Sequence, residues 1–247
     1  MGSSVENSVS FPRIAFQVDV GGFSLKGDRT SKEAKSSILL LHGAGTSNRC
    51  LFDSLRQYLW EHQFSSAAFD FVGHGETGGP LQASSLEERL VHTCEVIEAL
   101  KLAQPLTVVG ASMSGYTSIQ LLERYSIENL ILFVPAVYHA DAPALRFNQG
   151  FSGVIRQPKS WLHTDAWRIL ESFTGNLLIC FAENDDVIPR EIIDRLYASA
   201  KNAKKRELYC VPNSPHKVQL FLDQNPTERT HAFRRILDFL TTRKVLL

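Results

Sequence analysis

Long apolar runs are missing from this 247-residue chain. No stretch approaches the roughly 18 residues that a membrane-crossing helix needs, and the first eleven residues, MGSSVENSVSF, hold no apolar core of the kind a secretory leader carries. No stable membrane insertion is expected. A surplus of either charge is missing too: Lys plus Arg and Asp plus Glu number 26 each, so the formal net charge is zero. Without a basic excess there is no overall electrostatic signature of nucleic-acid binding. The one local basic run, KNAKKRE at 201–207, follows a helical segment, where cations complement the carboxyl end, and reads as a solvated face. Cysteine is sparse. Cys50, Cys94, Cys180 and Cys210 stand far apart, without CxxC spacing or the density of a disulfide scaffold. They read as free thiols of a reducing compartment, and the expected location is cytoplasmic. No grouping of His, Cys and Asp has ligand spacing, so neither a metal nor a cofactor is expected. These absences leave a small molecule as the expected partner.

What is present is a globular composition, 44% apolar and 21% charged, at a length that single α/β domains commonly reach. One domain over 1–247 is expected. RIAFQVDV alternates apolar and polar residues and is followed across a glycine pair by GGFSLKG, the pattern of a half-exposed hairpin. The segments 37–42, 65–71, 106–110, 129–135, 176–182 and 206–211 are short, nearly continuous apolar runs that suit parallel strands covered on both faces. Helical stripes lie between them. Leu51, Phe52, Leu55, Tyr58 and Leu59 form one, and Leu86, Leu90, Cys94, Ile97 and Leu100 another, opened by Ser84 or Ser85 with Glu87 or Glu88 three residues on. NPTE supplies an Asn225 cap, Pro226 at the first helical position and Glu228 before a final helix. Strands alternating with helices after an antiparallel start predict a mostly parallel central sheet with antiparallel N-terminal edge strands and helices on both faces. Ligands in such a sheet bind beyond the carboxyl ends of the strands.

TVVGASMSGYTS, from Thr107 to Ser118, places Ser112 at such an end, between a central strand and a helix predicted over 116–125. A sharp turn there pushes a serine hydroxyl out of the sheet, provided that the residues two before and two after it are small. Gly110 and Ser114 fill those positions, so the pattern is small-x-Ser-x-small rather than GxSxG. Taken alone, Ser112 could be an ordinary turn serine. Two further turns weigh against that: the strand 37–42 ends in His42-Gly43-Ala44-Gly45, and the next ends in the run from Asp70 to Gly75.

With these motifs the chain resembles the α/β-hydrolase superfamily over nearly its whole length, as a serine esterase-like member with a small cap. The resemblance implies an oxyanion hole formed by the backbone N–H groups of Ala44 and Met113, and makes His42 and His74 shapers of loops. It also implies no carboxylate nucleophile, since Ser112 stands at the elbow.

A serine needs a base to take its proton and a carboxylate to hold that base. Asp185 and Asp186 leave one buried strand and His216 the next, both past carboxyl ends. The run from Asp185 to Pro189 is similar to the family's D-x-V-x-P loop, which puts the acid at Asp185. Asp186 is the alternative, and both could instead cap a helix starting near Pro189. His139 and His163 could line substrate or lie on the surface, while His62, His92 and His231 fall in helical segments. Between Pro135 and Asn176 no strand signal occurs, and an insert at about 136–175 is the superfamily's cap. Its Phe147, Phe151, Trp161 and Trp167 could wall an acyl or aryl pocket, or only dock the segment on the sheet. The expected function is hydrolysis of an ester or thioester of a small acyl substrate through an acyl-enzyme. Acyl transfer, carbon–carbon bond hydrolysis on the same triad and slow-turnover ligand reception stand as alternatives.

Overall fold

Alternate side chains along each central strand feed two separate apolar layers, and this is what sandwiches the sheet. In the computed structural model, which describes residues 11–31 and 37–241, the strands are β1 (Ile14–Val20), β2 (Phe23–Arg29), β3 (Ser37–Leu41), β4 (Ser65–Phe69), β5 (Leu106–Ala111), β6 (Ile127–Phe133), β7 (Asn176–Ala182) and β8 (Lys205–Val211). The reading of the first ten residues lies outside the described ones. Leu39, Leu41, Val108, Leu130, Leu132, Leu177 and Ile179 enter one layer. Ile38, Leu40, Val109, Ile131, Phe133, Leu178 and Cys180 enter the other. Full burial of such a side chain stabilises the fold by roughly 1.5–3 kcal/mol, so both faces of the sheet must be covered. The helices α2 (Leu86–Ala99), α3 (Met113–Gln120), α5 (Ala166–Glu171) and α6 (Arg190–Ser199) contribute to the first layer. The helices α1 (Asp53–Glu61), α7 (Val218–Gln224) and α8 (Pro226–Thr241) contribute to the second. A short helix, α4 (Phe151–Ile155), lies in the stretch between β6 and β7.

The strand order is β1-β2-β4-β3-β5-β6-β7-β8. The β1–β2 and β2–β4 pairs are antiparallel and all the others parallel. Because β3 to β8 run the same way, the loops that follow them emerge at one edge of the sheet. There β5 is flanked by β3 and β6, with β7 and β8 next in line.

Three elements differ from the pattern read in sequence. The helix after β5 begins at Met113 and ends at Gln120, followed by a 3₁₀ turn at Leu121–Glu123. The tight turn leaves no spacer after Ser112, so helical geometry starts at the next residue. Asn225 does not cap α8 through its side chain. Its carbonyl accepts from Arg229 N–H at 2.9 Å, while its amide donates back to the Phe221 carbonyl at 2.7 Å. Strand β8 begins one residue ahead of the apolar run at 206–211 and takes in Lys205 of the basic run, which pairs with Glu207 at 2.8 Å. Ser85 is the cap of α2: its Oγ accepts from Glu88 N–H at 3.1 Å.

A buried ionic network fastens the loops after β3 and β4. The Asp70 carboxylate accepts from the Arg49 guanidinium, from Arg49 N–H at 2.7 Å and from Glu76 N–H at 2.9 Å. Arg49 also bonds Asp28 at 2.8 Å, and the fully buried Arg56 bonds Asp28 at 2.5 Å. Burial alone would lower the Arg49 pKa, and its carboxylate partners reverse that and raise it. Nearby, burial first, and then the charge of Arg89, hold His42, His74 and His92 below the ordinary histidine value, His92 down to about 4. In the unfolded chain these rings take up protons near pH 6.5. Between about pH 6.5 and 4 the unfolded state therefore binds more protons than the folded one, and stability falls as pH drops. For His92 the slope reaches up to about 1.4 kcal/mol per pH unit. The urea midpoint is expected to be lower near pH 5 than near pH 7, with a shallower decline in His92→Gln. An identical decline in that variant would mean that His92 is protonated in the folded protein.

Candidate active site

At the end of β5 the chain reverses so tightly that Ser112 adopts φ 49° and ψ −115°, a region that costs a non-glycine residue on the order of 1–3 kcal/mol and persists only where surroundings impose it. Several contacts impose it. Ser112 N–H donates to the Phe133 carbonyl at 2.9 Å, and the Ser112 carbonyl accepts from Gly115 and Ala136 N–H at 2.9 and 3.0 Å. At Gly110 a Cβ would lie 2.2 Å from Ser118 Oγ and 2.6 Å from the Ser114 carbonyl, so only glycine lets β5 and α3 approach this closely. Two residues after Ser112, Ser114 is fully buried, and its Oγ donates to the His42 carbonyl at 2.5 Å. The hydroxyl reaches across and joins the Ser112 turn to the end of β3.

Ser112 Oγ lies 3.0 Å from His216 Nε2, and His216 Nδ1 lies 3.0 Å from both oxygens of Asp185. The three side chains come from the loops after β5, β8 and β7. Cross-links between the last two loops set the second contact: Asn184 N–H donates to the Ser214 carbonyl at 2.9 Å and Asn213 N–H to the Glu183 carboxylate at 2.7 Å. Asp185 Oδ1 also accepts from Val187 and Ile188 N–H, both at 2.9 Å. Burial would raise the Asp185 pKa. The bond to His216 and the two backbone donors outweigh it and hold the carboxyl below its ordinary value, so the group stays ionised and accepts from the imidazole. Its neighbour Asp186 is exposed. The side chain of Asp185, 8% exposed, is the one turned toward the ring.

The turn after β3 lies directly against Ser112: a Cβ on Gly43 would be 3.2 Å from Ser112 Cβ. This brings the Gly43–Ala44 peptide beside the serine, while Met113, at the first position of α3, follows it. Helix N-terminal N–H groups have no partner within the helix. His42 accepts from Phe71 N–H at 3.1 Å through Nε2 and so donates through Nδ1 to the Gly43 carbonyl at 2.8 Å. His74 Nδ1 lies 2.8 Å from the Ser47 carbonyl. Both rings bond backbone groups of these loops.

Phe147 and Phe151 meet edge to face at 4.9 Å. Phe151 packs on Tyr138 at 5.6 Å, and Tyr138 on Tyr116 of α3 at 5.6 Å. These two phenylalanines thus join an aromatic chain that reaches α3. Trp161 and Trp167 form their own edge-to-face pair at 6.4 Å. Trp167 lies under Arg195 of α6 at 4.7 Å and lines a groove with Arg168, Glu171 and Lys201. No member of the Ser112–His216–Asp185 set lines that groove. Asp165 docks the segment on α3 by accepting from Tyr116 OH at 2.8 Å and Gln120 Nε2 at 2.9 Å. His139 and His163 face each other at 5.4 Å, with Asp141 3.5 Å from His139. Among the described residues no group of three or more His, Cys, Asp or Glu is arranged to hold a metal ion, and no helix is long and apolar enough to cross a membrane.

An elbow serine at the carboxyl edge of a mostly parallel sheet, followed in chain order by an acid and a histidine from the next loops, is the architecture of α/β-hydrolases. The profile of the serine aminopeptidase S33 family matches residues 32–163, more than half of the chain, and the protein belongs to this family of α/β-hydrolases. The match includes Ser112 and stops before Asp185 and His216. Solved structures share the fold. An esterase of Pyrococcus furiosus, Pf2001, is 19% identical with a TM-score of 0.69, the alignment covering 97% of this chain and 95% of that one. Est1E of Butyrivibrio proteoclasticus, solved with ferulic acid bound, is 19% identical with a TM-score of 0.70, covering 92% and 100%. A monoacylglycerol lipase of Paleococcus ferrophilus is 18% identical with a TM-score of 0.68, covering 87% and 98%. No curated protein matches the sequence.

Two buried arginines in this region escape a reading of the sequence by apolar periodicity, Arg56 in α1 and Arg89 in α2. The signal was a charged residue set inside an apolar stripe: Arg89 stands three residues after Leu86 and one before Leu90.

Proposed function

We propose that the protein is a serine hydrolase that cleaves a carboxylic ester or thioester of a small acyl substrate through an acyl-enzyme. The observation that carries this reading is the unbroken chain from Ser112 Oγ through His216 to Asp185, with 3.0 Å at each link. As Ser112 Oγ forms its bond to the carbonyl carbon, its proton passes to His216 Nε2. The imidazolium that results is held by the Asp185 carboxylate, which fixes the Nδ1–H tautomer beforehand. The carbonyl oxygen, now negative, is received by the N–H groups of Ala44 and Met113, donors already aimed and so costing no reorganisation. When the tetrahedral adduct collapses, the bond to the leaving alcohol or thiol breaks, and His216 Nε2–H supplies its proton. Water then enters with His216 again as base, releases the acid and restores Ser112. No step needs a cofactor.

Phe147 and Phe151 form the acyl-side wall in this reading, supported by their aromatic continuity with Tyr138 and Tyr116. The Trp161–Trp167 pair faces α6 and is the weaker candidate for substrate contact. The test is a panel of p-nitrophenyl esters and acyl thioesters of increasing chain length, followed through the first turnover. Hydrolysis of at least one class, with an initial burst of product close to one equivalent of enzyme where deacylation is slow, is the expected result. Failure to turn over any member would contradict the assignment.

A further inference from the structure

Behind the oxyanion turn lies a cation that the triad does not use. Arg89 is 0% exposed. Among the described residues no carboxylate bonds it and its Nε has no partner. Its guanidinium donates through Nη1 to the Gly43 carbonyl at 3.3 Å and through Nη2 to His74 Nε2 at 2.7 Å, and it lies over the Phe71 ring at 4.5 Å. An unpaired buried charge is expensive, and an apolar side chain would fill an α2 core position without that cost. Burial draws its pKa down to about 10, so the group remains a cation at neutral pH. The Gly43 carbonyl that it grips belongs to the same peptide as the Ala44 N–H. In a trans peptide the C=O and N–H point in opposite directions, so an anchor on the oxygen from behind sets where the N–H points in front. Donation into the carbonyl also polarises that N–H. His42 Nδ1–H adds a second anchor on the same oxygen at 2.8 Å.

Building on the serine-hydrolase reading, we propose that Arg89 is a positioning residue of the oxyanion site. It holds the Gly43–Ala44 peptide so that the Ala44 N–H meets the oxygen that becomes negative, and it sets a fixed positive charge behind that donor. Its effect belongs to the charged adduct rather than to the neutral ester. Removing one oxyanion donor outright costs roughly 10²–10³ in kcat in enzymes of this kind, so a residue acting through that donor should cost less. In Arg89→Gln the acylation rate with p-nitrophenyl acetate is expected to fall about 10- to 100-fold per active site, with sites counted by fluorophosphonate titration. The inhibition constant of phenylboronic acid, whose serine adduct is anionic, should rise by a similar factor. Arg89→Lys, which keeps the charge, should stay within about tenfold of wild type in both. A purely structural role would lower the number of active sites and leave the rate per site and the boronate constant unchanged, and that result would overturn the proposal. Should Arg89→Gln not fold, Arg89→Met, which removes the charge and keeps an unbranched side chain, decides: a loss per site of about tenfold or more with a matching rise in the boronate constant supports the proposal, and an unchanged rate per site overturns it. A wild-type protein that neither acylates nor takes the fluorophosphonate would instead refute the serine reading itself.

Discussion

Ser112→Ala is expected to lower ester turnover by about 10⁴- to 10⁶-fold and to abolish labelling by a fluorophosphonate, with the fold retained. The loss is large because in the proposed mechanism Ser112 alone forms the acyl intermediate, and what remains is the contribution of binding and the oxyanion site. Stability should hold or rise slightly, since the side chain bonds only His216 at a half-buried position and the backbone strain at φ 49° stays in place. Ser114→Ala makes the contrast. Its hydroxyl donates to the His42 carbonyl and lies wholly in the core, so its removal costs about 1–3 kcal/mol of stability while labelling at Ser112 continues. Fluorophosphonate labelling and urea unfolding of both variants check the pair. Equal loss of labelling in the two would show that the hydroxyls have been assigned to the wrong roles.

Asp185→Asn should cost roughly 10⁴-fold in kcat, the size of the corresponding change in the serine-protease template, whereas Asp186→Asn should remain within a few-fold of wild type. The amide keeps the shape of the loop but presents His216 Nδ1 with a donor on one side, which disfavours the Nδ1–H tautomer that leaves Nε2 free to take the serine proton. Geometry separates the two neighbours: Asp185 touches the ring with both oxygens and is braced by Val187 and Ile188 N–H, and Asp186 is turned out to solvent. Both Asn variants should be assayed on one ester, with circular dichroism confirming the fold. A larger loss in Asp186→Asn would shift the acid by one residue.

The sheet was legible in the sequence because its central strands are buried on both faces and so appear as unbroken apolar runs, and the edge hairpin because its half-exposed strands alternate. Ser112 and His216 were legible for a related reason: each sits where such a run stops, and the sheet carries those stops to one edge. The same pattern leaves Asp185 and Asp186 side by side at one stop, and only the resemblance of the loop to the family's D-x-V-x-P run points to Asp185. What escaped has long sequence separation. Arg89 reads as one more charge on α2, and its meaning lies in Gly43, 46 positions away. Arg56 likewise finds Asp28 at a distance of 28. The helix α7 was missed because only Val218, Gln219 and Leu222 of its seven residues are buried, too short a stripe to show a period. The role of Ser114 was hidden as well, since a small residue at that position satisfies the packing rule whether or not its hydroxyl has a partner.

The most direct test of the nucleophile assignment is to trap the intermediate. The wild-type protein is mixed with a p-nitrophenyl ester that it turns over, quenched in acid during the burst, digested and analysed by mass spectrometry. The expected result is one acyl group, added in place of a proton, on the peptide that contains Ser112, with fragmentation placing it on that residue and none on Ser114. An acyl group found on any other side chain, or a clear burst of nitrophenol with no adduct on Ser112, would contradict the account.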